Sequence, residues 1–250
     1  RRVQVSGQLQ RGSLMKCGLL GRKLGHSYSP QIHRELGDYP YLLFEKEPEA
    51  IESFLKNGDF TGINVTIPYK QQVIPYLDEL SDEASRIGAV NCVKILADGR
   101  RVGYNTDIDG IRLTLDGLVG DEEIESALVL GSGGASQAVR YVLEERGIMS
   151  LIVSRNIVSG DITYDDLSEE VIAANKLIIN ASPVGMYPRV EECPNLPYQQ
   201  LTPQHRLFDL VYNPQITLFM QRGKAQGARV VSGLDMLYAQ AESAWRIWNM

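Results

Sequence analysis

Short apolar runs alternate with amphipathic stretches along most of this 250-residue chain. Runs rich in Val, Ile and Leu predict strands, and apolar residues at helical spacing predict helices between them. The predicted strands are MKCGLL (15–20), YLLFEK (41–46), GINVTI (62–67), AVNCVKI (89–95), ALVLG (127–131), SLIVS (150–154), KLIIN (176–180) and RLFDLVY (206–212). The predicted helices begin near Ser29, Pro48, Asp107, Gly134 and Pro214, and a last one runs from about Gly233 to Trp248. Repeated strand–helix–strand units predict an α/β fold with mostly parallel sheets.

Two such units follow one another along the chain. The helical stretch DIDGIRLTL leads into a polar turn with glycines and then a new apolar strand, which predicts a passage between two domains. We expect one domain at 15–106 with 233–250, where the apolar and aromatic stripe of the last helix packs as core, and a second at 107–232. Residues 1–14 lack an apolar signal segment and are interpreted as a leader or a remnant of expression, since Met15 resembles a natural start.

Composition narrows the classes of partner. The net charge of −6 and the pI near 5.2 argue against a nucleic acid or an anionic membrane as the partner. No run approaches the roughly 18 apolar residues of a membrane span. Three cysteines, odd in number and far apart, predict packing residues in a reducing cytoplasm.

A glycine-rich turn follows the predicted strand ALVLG. Gly131, Gly133 and Gly134 allow a tight turn, and the amino end of the helix that follows offers free N–H groups to a pyrophosphate. Ser136 stands where the dinucleotide-binding fingerprint has its third glycine. The motif favours a dinucleotide site over a merely tight turn.

The end of the next strand indicates which dinucleotide is preferred. An NAD site has an acidic residue there to bind the ribose, whereas this strand ends in Ser154 and Arg155. Because arginine suits a 2′-phosphate, the sequence predicts NADP rather than NAD. A solvated surface charge is the alternative interpretation of Arg155.

Polar side chains in the first half follow the predicted strands, at the edge of the sheet where α/β proteins bind ligands. They are Ser27, Ser29, Asn64, Thr66, Lys70, Asn91, Asn105, Thr106 and Asp107. Hydroxyls, amides, one cation and one carboxylate suit a small polyhydroxylated acid. No metal site is predicted, because His26, His33 and His205 lack carboxylates at ligand spacing.

Some of these residues have a plain structural alternative. Ser29 before Pro30 could cap a helix, and Thr106 or Asp107 is placed to cap the helix DGIRLTL. Lys70 differs, because a cation in a helical turn beginning at Pro68 would oppose the helix dipole. Lys70 is therefore a candidate for proton transfer rather than for stability.

Taken together, seven ordered stretches resemble the shikimate dehydrogenase family from Met15 to the last helix. They are GRKLGHSYSPQIH, INVTIPYK, GAVNCV, YNTDIDG, LGSGGASQAV, NASPVGM and SGLDMLYAQA. The resemblance implies an enzyme that reduces 3-dehydroshikimate to shikimate with NADPH in aromatic amino-acid biosynthesis. It also implies an α/β/α substrate-binding domain and a Rossmann-like NADP domain, in a cytoplasmic monomer or homodimer.

The resemblance also implies roles for individual residues. Lys70 and Asp107 would be the catalytic pair, with Lys70 exchanging a proton with the reacting oxygen. Ser27 and Ser29 would bind the substrate carboxylate. The other substrate-binding residues would be Asn64, Thr66, Asn91, Tyr212 and Gln240. The NADP-binding residues would be Gly131, Ser132, Gly133, Gly134, Ala135, Ser136, Ser154, Arg155, Asn156, Ser182, Leu210, Gly233 and Asp82, the last at the nicotinamide end.

The chain departs from the family pattern in its cofactor half. No second cation follows Arg155, the helix expected after that strand is eroded in NIVSGDITYDDL, and SGLDM replaces the commoner Asp-Gly-Leu-Gly-Met. We therefore expect weaker discrimination of NADP from NAD than usual. The alternatives are a quinate/shikimate dehydrogenase with NAD or dual cofactor use, which serine at both 27 and 29 disfavours, and a non-catalytic dinucleotide sensor, which would not need Lys70 with Asp107. A nucleotide-binding methyltransferase explains none of the first half.

Overall fold

The computed structural model describes residues 15–25 and 27–250. The expectations for residues 1–14 and for His26 lie outside the described residues. Within the described ranges, no helix has both the length and the apolar character that a membrane crossing requires.

The first half of the chain forms a six-stranded sheet in the order β2-β1-β3-β5-β6-β4. All of its strands are parallel except β5, which runs against both neighbours. The strands are β1 Cys17–Gly21, β2 Tyr41–Glu45, β3 Gly62–Val65, β4 Glu79–Leu80, β5 Cys92–Ile95 and β6 Arg101–Tyr104. The helices are α1 Ser29–Leu36, α2 Ile51–Asn57 and α3 Asp82–Ile87.

Strand β3 ends earlier than the sequence predicts. The alternation of apolar residues suggested a strand to residue 67, but the strand stops at Val65 and Ile67 is 55% exposed. Pro68 has no N–H to continue a ladder, and the chain turns through residues 67–73. No helix begins at Pro68, so the dipole argument for Lys70 was wrong.

The second half forms a fully parallel six-stranded sheet in the order β12-β11-β10-β7-β8-β9, the strand order of a dinucleotide-binding fold. The strands are β7 Ser126–Leu130, β8 Met149–Ser154, β9 Ile162–Thr163, β10 Leu177–Asn180, β11 Arg206–Asp209 and β12 Arg229–Ser232. Helices α4 Asp107–Val119, α5 Gly134–Glu145, α6 Glu169–Ala174, α7 Leu218–Ala225 and α8 Leu234–Asn249 complete the described fold. The predicted α/β class is confirmed.

The last helix, α8, touches both halves, and its apolar stripe is core as predicted. Met236 belongs to the cluster that contains α4 and the second sheet, whereas Ala241 packs with α1. Ala244 and Trp248 pack with the buried thiols of β1 and β5 in the first half. Helix α4 also packs on α5, so α4 and α8 join the two sheets.

Two local predictions concern connections in the second half. The chain between β8 and β9 contains only a 3-10 turn, Ile157–Ser159, so the predicted loss of a helix there is confirmed. The helix expected near Pro214 begins at Leu218, because Thr217 accepts a hydrogen bond from the Met220 N–H and caps it.

The cysteines are free thiols, and none is in a disulfide. Cys17 and Cys92 are buried side by side in one apolar cluster, and burial raises the pKa of the Cys17 thiol to about 12. These two residues act in packing, as predicted.

Candidate active site

Lys70 and Asp107 form a buried ion pair. Lys70 lies in the turn after β3, and Asp107 is the first residue of α4. The Lys70 Nζ donates to Asp107 Oδ2 at 2.5 Å, with side chains only 15% and 6% exposed. The structure thus brings together the two residues predicted to be the catalytic pair, although 37 positions separate them.

Asn91 holds the other oxygen of this carboxylate. Its Nδ2 donates to Asp107 Oδ1 at 2.9 Å and to Thr106 Oγ1 at 3.0 Å, and its Oδ1 accepts from the Thr106 N–H. Thr106 occupies the N-cap position of α4, as one interpretation expected, but its side chain makes no capping hydrogen bond. Asn105 Oδ1 accepts from the Asp107 N–H instead. Both carboxylate oxygens are fixed, one by a cation and one by an amide.

Asn64 is buried beside Asn91. Its Nδ2 donates to the Asn91 carbonyl at 3.3 Å, and its Oδ1 accepts from the Tyr41 hydroxyl at 2.8 Å. The ring of Tyr41 stacks on His33 at 4.0 Å, and burial lowers the pKa of His33 to about 4, so the imidazole is neutral at pH 7. Sequence reasoning missed Tyr41 and His33, because an aromatic residue in an apolar strand and a histidine in a helix carry no signal beyond core packing.

Ser27 and Ser29 lie where the loop after β1 meets α1. Ser27 Oγ accepts from the Ser29 N–H at 3.2 Å. Ser29 is a buried residue inside α1, and the capping position is Tyr28, which makes no side-chain cap; the capping interpretation of Ser29 was thus wrong. Ser27 thus satisfies one free N–H at the amino end of α1, whereas Ser29 has no capping role.

An aromatic pair joins this loop to the second half. The rings of Tyr28 and Tyr212 lie 5.3 Å apart at an angle of 51°. An open cavity of about 370 Å³ beside them is lined by Ser27, Tyr28, Tyr187 and Asn213. Sequence reasoning placed Tyr212 and Ser27 here, but it missed Tyr28, Tyr187 and Asn213.

The glycine turn has the geometry that the motif predicts. Gly131 adopts φ of +109°, a conformation that favours glycine, and its carbonyl accepts from Ser136 Oγ at 2.6 Å. A Cβ on Gly131 would lie 3.2 Å from Ser182, so the 180–186 segment packs tightly on this turn. Gly133 provides no side-chain cap for α5, which leaves the helix amino end open to an anion.

The glycine turn and the ion pair are neighbours. A Cβ on Gly134 would lie 3.2 Å from Lys70 Cβ and 3.3 Å from Ala89 Cβ. The amino end of α5 therefore lies against the aliphatic part of Lys70. This contact brings a candidate dinucleotide site next to a candidate proton-transfer group.

The end of β8 presents a polar surface. Ser154 Oγ lies 2.8 Å from Ser159 Oγ, and Asn156 Oδ1 caps the 3-10 turn by accepting from the Val158 N–H at 3.0 Å. Arg155 is exposed and forms no salt bridge with any residue of the described ranges. Its guanidinium is thus available to a ligand anion.

The remaining predicted contacts lie at different places. Gly233 lies against Leu210, since a Cβ on Gly233 would come 2.1 Å from the Leu210 carbonyl oxygen. Gln240 Nε2 on α8 donates to the Leu237 carbonyl at 2.9 Å. Asp82 is exposed in the first turn of α3, and its contact with a cofactor stays a prediction. In residues 15–25 and 27–250, no group of three His, Cys, Asp or Glu side chains is placed to hold a metal ion.

Comparison with known proteins finds shikimate dehydrogenases and, at lower identity, a quinate dehydrogenase. A family model described as the shikimate dehydrogenase substrate binding domain matches residues 19–93. The chain is 40% identical to a shikimate dehydrogenase (NADP(+)) of Clostridium beijerinckii, with 93% of this chain and 91% of the relative covered. A shikimate 5-dehydrogenase of Thermus thermophilus, solved with NADP(H) and shikimate, is 32% identical with a TM-score of 0.83 over 94% of this chain and 93% of that one. A quinate dehydrogenase of Corynebacterium glutamicum, solved with NAD, is 27% identical with a TM-score of 0.81 over 94% and 93%.

Proposed function

The chain belongs to the shikimate dehydrogenase family, and from this premise we propose that it catalyses the reversible, NADPH-dependent reduction of 3-dehydroshikimate to shikimate. The observation that carries the proposal is the contact between Gly134 and Lys70. It puts a dinucleotide-type helix end beside a buried Lys70–Asp107 pair. A dehydrogenase needs a hydride carrier and a proton-transfer group side by side, and a dinucleotide sensor needs no such pair.

The residues present fit NADP. The open amino end of α5 favours the pyrophosphate, and the lack of side chains at Gly131 and Gly133 allows its close approach. The exposed Arg155 guanidinium suits the 2′-phosphate. Ser182 borders the Gly131 turn, and Leu210 packs against Gly233. When bound, NADPH supplies the hydride.

Lys70 is the proton donor in the reduction and the proton acceptor in the reverse direction. Its Nζ donates a hydrogen bond to Asp107 Oδ2, so the orientation of the ammonium group is fixed. Asn91 fixes the other carboxylate oxygen and therefore the orientation of the pair. The positive charge on Lys70 would also stabilise the negative charge that develops on the carbonyl oxygen when a hydride adds to the carbonyl carbon.

The substrate lies beside Lys70, on the side where the first sheet is. Ser27 and Ser29 bind its carboxylate, and Tyr212 closes the site from the second half. Asn64, Thr66, Asn91 and Gln240 bind the ring hydroxyls. Asn64 can do this while keeping its internal bonds, because its Nδ2 has a second hydrogen and its Oδ1 a second lone pair.

The surroundings of Arg155 favour modest selectivity for NADP over NAD. The residues that follow it, Ile157 and Val158, are exposed and apolar, at 55% and 89% exposure, where a second cation would strengthen binding of the 2′-phosphate. One arginine therefore carries the preference, and a measurable NAD-linked rate is expected.

We also propose two domains, 15–106 with 233–250 and 107–232, in a cytoplasmic monomer or homodimer. The supporting observations are the two separate sheets and the reduced thiols. The cleft between the domains would hold the substrate and the cofactor.

The deciding experiment follows the absorbance of the reduced cofactor, NADPH or NADH, with four substrate and cofactor pairs: shikimate or quinate, each with NADP or NAD. Shikimate with NADP should give the highest kcat/KM. Quinate turnover comparable to that of shikimate would instead assign a quinate/shikimate dehydrogenase. Binding of NADP with no turnover of either acid would assign a sensor.

A further inference from the structure

Asp209 is a buried carboxylic acid that the proposed reaction does not use. It is the last residue of β11 and has no exposed surface. Asn180, the last residue of β10, is its register partner on the neighbouring strand and is equally buried. A carboxylate at such a place is costly unless hydrogen bonds compensate for the lost water.

Three hydrogen bonds hold this carboxylate. Asn180 Nδ2 donates to Oδ1 at 2.9 Å, and the Val211 N–H donates to the same oxygen at 3.0 Å. Thr217 Oγ1 donates to Oδ2 at 2.6 Å. The Asn180 amide N–H and the Val211 N–H can only donate, so Oδ1 must accept from both. The Thr217 hydroxyl accepts from the Met220 N–H and donates its own hydrogen to Oδ2.

Two loops depend on these bonds. Asn180 connects Asp209 to the 181–186 loop. Its Oδ1 accepts from Ser182 Oγ at 2.7 Å, and its Nδ2 donates to the Val184 carbonyl at 3.2 Å. Val211 and Thr217 lie in the 210–217 loop, near its start and at its end. Asp209 is thus the common anchor of both loops.

Both loops border the proposed ligand sites. Ser182 packs on the Gly131 turn, and the 210–217 loop carries Leu210 and Tyr212. Directly after the 181–186 loop, the Tyr187 N–H donates a hydrogen bond to the Asn213 carbonyl at 2.9 Å, which also joins the two loops. A change at Asp209 would therefore disturb both loops at once, including the contact of Ser182 with the Gly131 turn.

No cation neutralises Asp209 within residues 15–25 and 27–250, since none of the salt bridges there includes it. Burial raises the pKa of Asp209 to about 6, and the hydrogen bonds from Thr217, Val211 and Asn180 oppose that rise. The titratable group that faces Asp209 from a packed element is Tyr198, whose ring lies against the Arg222 guanidinium at 5.3 Å. Burial raises the pKa of Tyr198 well above the neutral range, so this tyrosine stays protonated where Asp209 titrates.

We propose that Asp209 is a positioning residue that anchors the 181–186 and 210–217 loops in the arrangement that binds NADP(H). The proposal rests on the proposed function for the identity of the ligand. It concerns binding rather than the chemical step, so it is tested without turnover.

The test is calorimetric titration of the full chain with NADP, for the wild type and for Asp209→Asn. The amide keeps the shape, but its NH2 group takes the place of Oδ2, so the Thr217 hydroxyl loses the acceptor for its own hydrogen and the charge on residue 209 is removed. We therefore expect the Kd for NADP to rise at least about tenfold. The matched control is His205→Gln. His205 is also fully buried and hydrogen-bonded, to Thr202 and Ile172, but it precedes β11 at the opposite end of the strand. The control should lower the midpoint of thermal unfolding while leaving the Kd within about twofold.

A pH series separates anchoring by the charge from a loss of packing. As pH falls through about 6, Asp209 takes up a proton, and the wild type should lose NADP affinity. The 2′-phosphate also titrates near pH 6, but it does so with both proteins. The wild type should therefore lose several-fold more affinity than Asp209→Asn between roughly pH 7.5 and pH 5.

Two results would overturn the proposal. One is a Kd for Asp209→Asn within twofold of the wild type together with a fall in thermal stability like that of His205→Gln, which assigns Asp209 a structural role only. The other is the same pH dependence of the Kd in both proteins. A failure of the proposed function looks different: NADP would bind as described, and shikimate would not be oxidised.

Discussion

Replacing Lys70 with methionine tests the proposed chemistry most directly. The substitution keeps most of the aliphatic chain that lies against Gly134 and removes only the ammonium group. Asp107 then keeps its bond from Asn91 Nδ2 but loses its cation. The variant should therefore lack the proton donor while preserving the shape of the cofactor site.

The size of the effect on stability follows from the geometry of the pair. At 2.5 Å and an effective dielectric constant of about 20, the attraction between Lys70 and Asp107 is about 7 kcal/mol, most of which offsets the cost of burying both charges. Removing one partner of a buried pair costs about 3 to 5 kcal/mol. Because Asn91 still binds the carboxylate and Lys70 is 15% exposed, we expect the low end of this range.

Three measurements check the prediction. We expect kcat to fall by about 10² to 10⁴, as for the loss of a general acid–base group, with the Kd for NADP changed less than about twofold. Urea denaturation should show the loss of stability. The double variant Lys70→Met/Asp107→Asn should recover most of that stability without recovering kcat, because it no longer buries an unpaired charge. A kcat within tenfold of the wild type would refute the catalytic assignment, and a double variant less stable than the single one would refute the account of the ion pair.

Three further predictions concern the cofactor, the substrate and acid stability. Arg155→Gln should raise the KM for NADPH about tenfold or more through loss of a charged hydrogen bond, and leave the KM for NADH within about twofold; an equal change in both would contradict the assignment. Tyr28→Leu removes an aromatic contact with Tyr212 worth about 0.5 to 1.5 kcal/mol, so the KM for shikimate should rise roughly two- to tenfold, whereas Tyr28→Phe should behave as the wild type. Burial raises the pKa of Asp209 to about 6 from about 3.9 in the unfolded chain. Between roughly pH 6 and pH 4, Asp209 is therefore protonated in the folded protein but ionised in the unfolded chain. The free energy of unfolding of the wild type should therefore rise relative to Asp209→Asn as pH falls through this window, by at most about 3 kcal/mol, and a fall in urea titrations would show that Asp209 is not titrating there.

The parts of the fold that the sequence predicts are those with a strong local pattern. Strands such as β7 and β10 are continuous apolar runs, and α5 follows a turn whose glycines mark its start. Strands β4, β6, β9 and β12 were missed, and β6 and β9 show why, because their local patterns are weak. RVGY contains a charge and a glycine, and Ile162–Thr163 is only two residues long. Their positions are determined by pairing with β5 and β8, which is tertiary information.

The sequence predicted which residues belong to the candidate site, but not the hydrogen bonds that join them. Lys70 and Asp107 stand out in sequence because charged groups follow apolar strands. The bond between them, and the role of Asn91 in fixing it, depend on three chain segments meeting. Tyr41 and Asp209 were missed for the opposite reason, since a buried polar residue at a strand looks like ordinary core until its partners are known.

The contact between α4 and α8 has a mechanical consequence. The chain passes from the first sheet to the second through α4 and leaves the second sheet into α8, and the two helices meet where Met236 occupies the space beside Gly110 that a side chain would need. If the two sheets rotate relative to each other, this tight contact is the natural pivot. Asp107 begins α4, three residues from that point, so it moves little during such a rotation. The ring contact between Tyr28 and Tyr212 joins the two halves away from this point, so the same rotation would separate these two rings. With such a rotation, ligands would enter and leave between Tyr28 and Tyr212, while Lys70 and Asp107, close to the pivot, would stay paired.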